Sequence, residues 1–195
     1  MPWEKSFDEE VTLEKAMHVF WEKGFDSASI ADLLDRTGIN RGSLYNTFGG
    51  KQALFVKALL KYDQDKRRTA LAELEALDDP QRAVGEFFDN MVAVTIEDPE
   101  RKGCFLFNTV LECPTHEPEV NEIVANGLRE IEAFFRRCIE VAQARDDIPK
   151  SVDPSAKAKA LLALALAIRV LGRSPYCDEG LQTIANEAKA LISSS

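Results

Sequence analysis

The chain has 195 residues, of which 45% are hydrophobic and 29% charged, and this length allows one large domain or two smaller ones around a sizeable core. The apolar stretch at residues 160–170 is too short to cross a bilayer, and the first residues lack an apolar secretion signal, so we expect a cytoplasmic protein that does not bind membranes. The four cysteines are irregularly spaced without a CxxC pair, which indicates reduced thiols and excludes a disulfide framework.

The charge of the chain is unevenly distributed. The formal net charge is −9 at pH 7, but segment 36–68 holds eight basic and two acidic residues, so it carries +6 and leaves −15 on the remainder. An acidic body repels nucleic acid, whereas a local basic segment sets which end of the protein approaches it. A solvated helix face would account for such a run equally well, so its meaning depends on the motif that it contains.

Apolar residues recur at helical spacing almost throughout, and no segment alternates apolar and polar residues for long enough to predict a strand. Glycines, prolines and capping residues mark the breaks between helices. In chain order, the predicted helices span residues 7–23, 29–37, 40–48, 51–77, 80–97, 103–111, 118–144, 154–171 and 176–192. The sequence therefore predicts an all-α protein of about nine helices.

The first three predicted helices form a head that ends near residue 50. Ser29 followed by Asp32 resembles a capping box at the start of the second helix, Gly38 ends that helix, and Asn40 is a suitable N-cap for the third. Two short helices joined by a glycine-containing turn, after one longer helix, are typical of a helix-turn-helix.

The third predicted helix has an outer face suited to the major groove of DNA. Gly42 would let the backbone approach the groove closely, while Arg41 suits guanine and Asn46 suits adenine. Short hydroxyl side chains can contact phosphates or bases, and the N-terminus of the second helix, at Ser29, offers N–H groups to a phosphate. The residues predicted to stand on the outer face are Arg41, Gly42, Ser43, Tyr45, Asn46 and Thr47, and those predicted to point inward are Ile39, Leu44 and Phe48.

Residues 23–55 resemble the DNA-binding head of the TetR family of transcriptional regulators. The residues that stand at this family's spacings are Gly24, Phe25, Ser29, Ile30, Ala31, Asp32, Leu33, Leu34, Gly38, Ile39, Asn40, Arg41, Gly42, Ser43, Leu44, Tyr45, Phe48 and Lys51. The resemblance implies that Tyr45 and Lys51 contact phosphates and that residues 41–43 face the major groove. With Ser29 and Asn40 at the two helix starts, these residues make up the predicted DNA-binding site.

The same resemblance implies two domains, a helix-turn-helix DNA-binding domain at residues 1–50 and a helical domain for ligand sensing and dimerisation at residues 51–195. The expected partners are double-stranded operator DNA, an unknown small-molecule inducer and a second copy of the chain. Residues 103–112 resemble the sixth helix of one large subgroup, some of whose members respond to electrophiles or small unsaturated compounds. The implied function is a repressor that its ligand releases from the operator.

Aromatic and sulfur-containing residues in the middle helices predict either an apolar ligand pocket or an ordinary helical core. Polar residues among them favour a pocket, because they would be costly to bury without partners. The predicted pocket residues are Phe88, Met91, Cys104, Phe107, Asn108, Glu112, Phe134 and Arg169.

The eighth predicted helix is apolar nearly all round between residues 158 and 168, so it needs cover on two sides. Burial within one subunit can satisfy only one side, which predicts a homodimer through the eighth and ninth helices. The predicted interface residues are Leu161, Leu164, Ile168, Leu181, Ile184 and Ala188.

Other functions have weaker support in the sequence. Cys104 at a helix start could instead be a reactive thiol, giving a regulator switched by cysteine modification without a bound inducer. Cys113 and His116 supply too few ligands for a zinc site, so we expect no metal and no cofactor. No Gly-rich phosphate loop, nucleophile elbow or HExxH motif is present, which argues against an enzyme. A helical interaction module without operator binding is disfavoured by the basic segment and the intact residues 41–45.

Overall fold

The computed structural model describes residues 7–112 and 116–192 of the chain. These two ranges contain nine helices and no strand, which confirms the predicted all-α fold. The head consists of α1 (Glu9–Ser27), α2 (Ile30–Thr37) and α3 (Arg41–Phe48). The body consists of α4 (residues 51–75), α5 (Pro80–Glu97), α6 (Phe105–Glu112), α7 (Pro118–Ala144), α8 (Pro154–Leu171) and α9 (Asp178–Ala190). No helix in the described ranges is long and apolar enough to cross a membrane.

Three body helices have the bounds that the sequence predicts. Each of them, α5, α7 and α8, begins with a proline, whose fixed φ suits the first helical turn and whose missing N–H has no partner there to lose. By contrast, α6 begins two residues later than residue 103, and α9 is two residues shorter at each end than predicted. Prolines thus fixed the helix starts better than the apolar pattern alone.

The first helix bends at the glycine where the sequence predicts its end. Gly24 has φ 76° and ψ 172°, and the chain continues in a helical turn to Ser27. A side chain at Gly24 would strain this left-handed backbone, and its Cβ would lie 2.5 Å from Oε1 of Glu112. The bend therefore lets the head approach the end of α6.

The core of the head holds α3 in place. Ile39, Leu44 and Phe48 are buried as predicted, and they belong to the same apolar core as Phe20 of α1 and Leu54 of α4. Burial of this face leaves the opposite face of α3 directed outward.

The long helix α4 changes its hydrogen-bonding pattern in the middle, which the sequence did not predict. It is α-helical over Lys51–Tyr62, π-helical over Asp63–Arg68 and α-helical again over Thr69–Glu75. Such π segments are rare and are often found at functional positions in helices.

The π segment carries a buried ionic network. Arg67 donates to both carboxylate oxygens of Asp63 and, from Nη2, to Glu130 of α7 at 2.6 Å. Arg68 donates to Asp63 at 3.0 Å and to Glu130 at 3.0 Å. Burial alone would lower the pKa of the Arg67 guanidinium, but its bonds to Asp63 and Glu130 outweigh burial and raise it. The network ties α4 to α7.

The structure corrects the predicted dimer interface. Leu161 and Ile168 of α8 and Leu181 and Ala188 of α9 are fully buried inside a single chain, so they cannot be the residues that meet a second copy. Leu164 and Ile184 are partly exposed. A helix that is apolar all round gives no sign of which side faces its own core, and that is why the sequence pointed to the inner side.

Candidate nucleic-acid interface

The outer face of α3 is an exposed polar surface of the head. Arg41, Gly42, Tyr45 and Asn46 are exposed, with Tyr45 retaining 49% of its accessible surface. Ser43 and Thr47, the remaining predicted residues of this face, are half-buried at its edges. The face carries polar groups of the kind that recognition helices present to base edges and phosphates.

Two predicted DNA-binding residues are helix caps. Asn40 Oδ1 accepts the N–H of Ser43 at 2.8 Å, which fixes the first turn of α3. Ser29 and Asp32 form the predicted capping box: the Ser29 hydroxyl accepts the Asp32 N–H at 3.1 Å, and the Ser29 N–H donates to Asp32 Oδ2 at 2.8 Å. The Ser29 N–H is therefore already bonded, so a phosphate at this helix start would need the N–H groups that follow it.

The Asp32 carboxylate of this capping box is paired with a cation. Lys23 Nζ lies 2.5 Å from Asp32 Oδ1, and this contact, followed by the bonds from Ser29, holds the pKa of Asp32 well below its usual range. The phosphate backbone of DNA would therefore meet an ion pair at this position and not an isolated carboxylate.

The turn from α3 to α4 requires its two glycines. Gly49 and Gly50 have φ of 85° and 107°, a region that side chains disfavour. The Tyr45 ring lies 3.3 Å from the position that a Cβ on Gly50 would take. The backbone of this turn therefore packs closely against the ring of Tyr45, the predicted phosphate contact.

Lys51 stands at the start of α4 with its charge beside the head. Its Nζ lies 4.4 Å from the centre of the Phe25 ring and 3.5 Å from the carbonyl oxygen of Asp26. A cation already held over a ring in this way loses little conformational freedom when it meets a phosphate.

The basic segment is less uniform than its net charge suggests. Arg67 and Arg68 are bound by Asp63 and Glu130, and Lys61 is bound by Asp65 at 2.7 Å. These cations lie beyond the first turns of α4, away from α3. The cations near α3 that form no ion pair with the described residues include Arg41, Lys51 and Lys57, whose Nζ lies 5.5 Å from the centre of the Phe48 ring.

The predicted pocket residues lie in separate surroundings. Phe88 and Phe134 belong to an aromatic cluster of α5 and α7, where Phe88 stacks on Phe135 at 5.7 Å between ring centres. Phe107 and Met91 are buried in the core. An open groove of about 360 Å³ beside α7 contains Phe134 and none of the other predicted pocket residues. Which of these residues lie together depends on contacts between helices that are distant in sequence, and the apolar pattern does not predict such contacts.

The polar residues of the predicted pocket also separate. Asn108 donates to the carbonyl oxygen of Lys102 at 2.7 Å, and Glu112 accepts the N–H of Phe25 at 3.4 Å. Cys104 and Arg169 each lie close enough to Tyr62 to act on the pKa of its phenol. The sequence did not single out Tyr62.

Comparison with known proteins agrees with this description. Residues 13–58 match the family described as "Bacterial regulatory proteins, tetR family", and residues 80–184 match the "Tetracyclin repressor-like, C-terminal domain". The fold and the exposed α3 face define a helix-turn-helix DNA-binding transcriptional regulator, and not an enzyme. The chain belongs to the TetR family.

Several individual proteins are similar over nearly their whole length. YezE of Bacillus subtilis (strain 168), an uncharacterized HTH-type transcriptional regulator, is 31% identical over 171 residues, covering 87% of this chain and 88% of YezE. ComR of Escherichia coli (strain K12), an HTH-type transcriptional repressor, is 29% identical over 93% of this chain and 87% of ComR. A cysteine mutant of the regulator CifR, solved with a 26-base-pair double-strand operator DNA, has a TM-score of 0.83 and 26% identity, and covers 95% of this chain and 97% of CifR.

Two cations near α3 are expected to have different effects on DNA binding. Arg41→Ala should weaken binding to the cognate operator by about 1–3 kcal/mol and relax preference at one base position in each half-site, because we expect this exposed side chain on α3 to contact base edges. Lys51→Ala should weaken specific and non-specific binding alike and reduce the salt slope by about one unit for each phosphate that is no longer neutralised. Binding isotherms on cognate and scrambled DNA at several salt concentrations measure both effects. Equal losses for the two variants on every sequence would contradict base reading by Arg41.

Proposed function

We propose that the chain is a repressor that binds operator DNA as a homodimer and leaves it when a small molecule binds the body. The observation that carries this proposal is the direct bonding of head to body. Trp21 Nε1 of α1 donates to the carbonyl oxygen of Gly103 at 3.2 Å, and the N–H of Phe25 donates to Glu112 at 3.4 Å. A change in the loop before α6 would therefore be transmitted to α1. The name of the relative ComR, a repressor, supports the sign of the regulation.

The dimer is needed because two heads must enter successive major grooves, about 34–36 Å apart on one face of the duplex. The outward side of α8 offers a stripe of small and apolar residues, Ala163, Ala167 and Val170, for close helix approach. Leu164 and Ile184 flank this stripe. A ligand that binds best when the two heads are spaced wrongly for DNA would release the operator by a shift of population.

Light scattering of the purified protein tests the dimer. At micromolar concentration the mass should be twice the 21.7 kDa of one chain. Ala163→Arg places a charge in the stripe and should give monomers, whereas Ala70→Arg, at an exposed alanine of α4, should remain dimeric. A wild-type monomer would refute the dimer, and a dimeric Ala163→Arg protein would refute this stripe.

Ligand release is tested by fluorescence anisotropy of operator DNA in the presence of small organic compounds, with thermal unfolding measured in parallel. A compound that raises the unfolding temperature is expected to weaken operator binding by at least about tenfold, a coupling of ordinary size for allosteric proteins. Compounds that stabilise the protein and leave its operator affinity unchanged would contradict release by ligand.

A second candidate function, switching by modification of Cys104, is favoured by the position of that residue. The Cys104 carbonyl accepts the N–H of Asn108 at 2.8 Å, so Cys104 stands at the start of α6, next to Gly103. Alkylation with N-ethylmaleimide, followed by mass spectrometry and DNA binding, separates the two candidates. Cys177 is exposed and serves as a reference, while burial raises the pKa of Cys138 to about 12 and should make it slow to react. The switch requires operator affinity to fall with labelling of Cys104; affinity that follows labelling of Cys177, or none, rules it out.

A further inference from the structure

The side chain of Arg169 on α8 is a half-buried cation without a carboxylate partner. Its Nη1 donates to the Thr95 hydroxyl at 3.0 Å, while its Nε is buried and forms no hydrogen bond. No acidic side chain in the described ranges forms an ion pair with it, whereas Arg67 is held by two carboxylates and Arg101 by Asp178 at 3.2 Å. The Nε–H of this guanidinium is buried without a hydrogen-bond acceptor, which is costly, and a bound ligand that accepts from it would remove that cost.

The unused edge of the guanidinium has the geometry of a carboxylate receptor. Nη1 is turned toward Thr95, and the Thr95 hydroxyl in turn donates to the carbonyl oxygen of Met91 at 2.7 Å, which orients it to accept from Arg169. On the remaining edge, Nε is buried without a hydrogen bond, and Nη2, which points parallel to it, forms no hydrogen bond or ion pair with the described residues. Two parallel N–H groups of arginine match the two oxygens of a carboxylate.

The surroundings of Arg169 favour an organic acid over an inorganic anion. Tyr62 is buried and lies close enough to Arg169 for that charge to act on its phenol, and its ring meets the Phe105 ring edge-on at 5.7 Å. Burial and the neighbouring Cys104 raise the pKa of the Tyr62 phenol well above its ordinary value, so it stays an uncharged hydroxyl, although Arg169 acts in the opposite direction. An apolar body beside these rings would complete a carboxylate held by the guanidinium.

This cluster also touches the link between head and body. The Tyr62 ring meets Trp21 edge-on at 4.9 Å, and the indole of Trp21 donates to Gly103, the residue before Cys104. A molecule that displaces Tyr62 or the loop at residue 103 would therefore act directly on α1. The remaining predicted pocket residues, such as Phe88, are not needed for this contact.

We propose that Arg169 binds the carboxylate of a small apolar organic acid, and that such an acid is the molecule that releases the operator. This inference rests on the proposed function, because it names the chemical class of the inducer. The acid is held by the Nε–Nη2 edge of Arg169, and its apolar part lies against Tyr62 and Phe105.

The test compares three acids with their uncharged amides: sodium benzoate, phenylacetate and octanoate against benzamide, phenylacetamide and octanamide. The full-length protein is used, with thermal unfolding and operator anisotropy as the two readouts and sodium chloride as the salt control. At millimolar concentration at least one acid should raise the unfolding temperature and weaken operator binding, while its amide does neither. Stabilisation by none of the acids, or equally by acid and amide, overturns the assignment.

Variants locate the site. Arg169→Gln should weaken acid binding by about 10- to 100-fold, the range for hydrogen bonds to a charged group, and Arg169→Lys should lose less, because it keeps the charge without the fork. Arg136→Gln, at an exposed arginine of α7 that pairs with Glu140 at 3.6 Å, is the matched control and should bind the acid like the wild type. If Arg169→Gln does not fold, as judged by circular dichroism, Arg169→Lys carries the comparison. Unchanged acid affinity in the Arg169 variants overturns the site.

The outcomes separate this inference from the proposed function. Operator release by uncharged compounds but by none of the acids overturns the carboxylate assignment and leaves release by ligand standing. Acid binding that depends on Arg169 but leaves the operator bound supports the site and overturns its role as the inducer site.

Discussion

Phe55→Ala is expected to lower the free energy of unfolding by about 3–5 kcal/mol, the usual cost of emptying a fully buried aromatic position. Phe55 of α4 is inaccessible to solvent and lies at the junction of head and body. Its ring centre is 5.1 Å from that of Phe20 and 5.0 Å from that of Phe25 in the head, and 5.6 Å from that of Phe105 in the body. His116 stacks on the ring at 5.3 Å. The cavity left by Phe55→Ala would therefore remove ring contacts with both the head and the body.

Chemical denaturation followed by circular dichroism measures this loss. Leu60→Ala is the matched control, because Leu60 lies on the same helix and keeps 47% of its accessible surface, and it should change stability by no more than about 0.5 kcal/mol. A loss for Phe55→Ala as small as that of the control would mean that head and body are not joined through this ring.

Arg67→Met is expected to cost about 3 kcal/mol of stability, because it leaves the buried Asp63 carboxylate without its main partner. Arg68 still donates to Asp63 at 3.0 Å, which places the loss at the lower end of the range for broken buried pairs. The double variant Asp63→Leu with Arg67→Met should be more stable than the single variant, since it removes both buried charges and leaves the Arg68–Glu130 pair intact.

The exposed pair of Arg82 and Glu86, with 2.7 Å between Nε and Oε1, provides the comparison. Arg82→Met should cost no more than about 0.5 kcal/mol, because solvent screens that pair. Urea unfolding of the wild type and the three variants gives the values. A double variant that loses as much as Arg67→Met or more would show that the network stabilises α4 beyond simple charge pairing.

The head could be predicted from the sequence because its determinants are local. Asn40 and the Ser29–Asp32 capping box set the helix starts, and the spacing of Leu44 and Phe48 sets which side of α3 faces outward. Helix starts at prolines in the body were predicted for the same reason.

The body could be predicted only in part because its contacts join residues distant in sequence. The π segment of α4 contains an ionic network that involves Glu130, 63 residues after Arg67. No local sequence pattern could have predicted this network. Arg169 was predicted as one member of a pocket, but its neighbours Tyr62 and Thr95 lie on other helices and were not singled out. The outward side of α8 could not be distinguished from its inner side, because both are apolar.

Selection of bound sequences from a random double-stranded DNA library tests most directly whether the α3 face reads a specific operator. We expect enrichment of two similar half-sites, one helical turn of about 10 base pairs or a multiple of it apart, bound about 10³-fold or more tightly than scrambled DNA at the same salt concentration. Repeating the selection with Arg41→Ala should relax the preference at one base position in each half-site. A library from which no sequence is enriched, or in which Arg41→Ala selects the same sequences as the wild type, would contradict operator reading by α3.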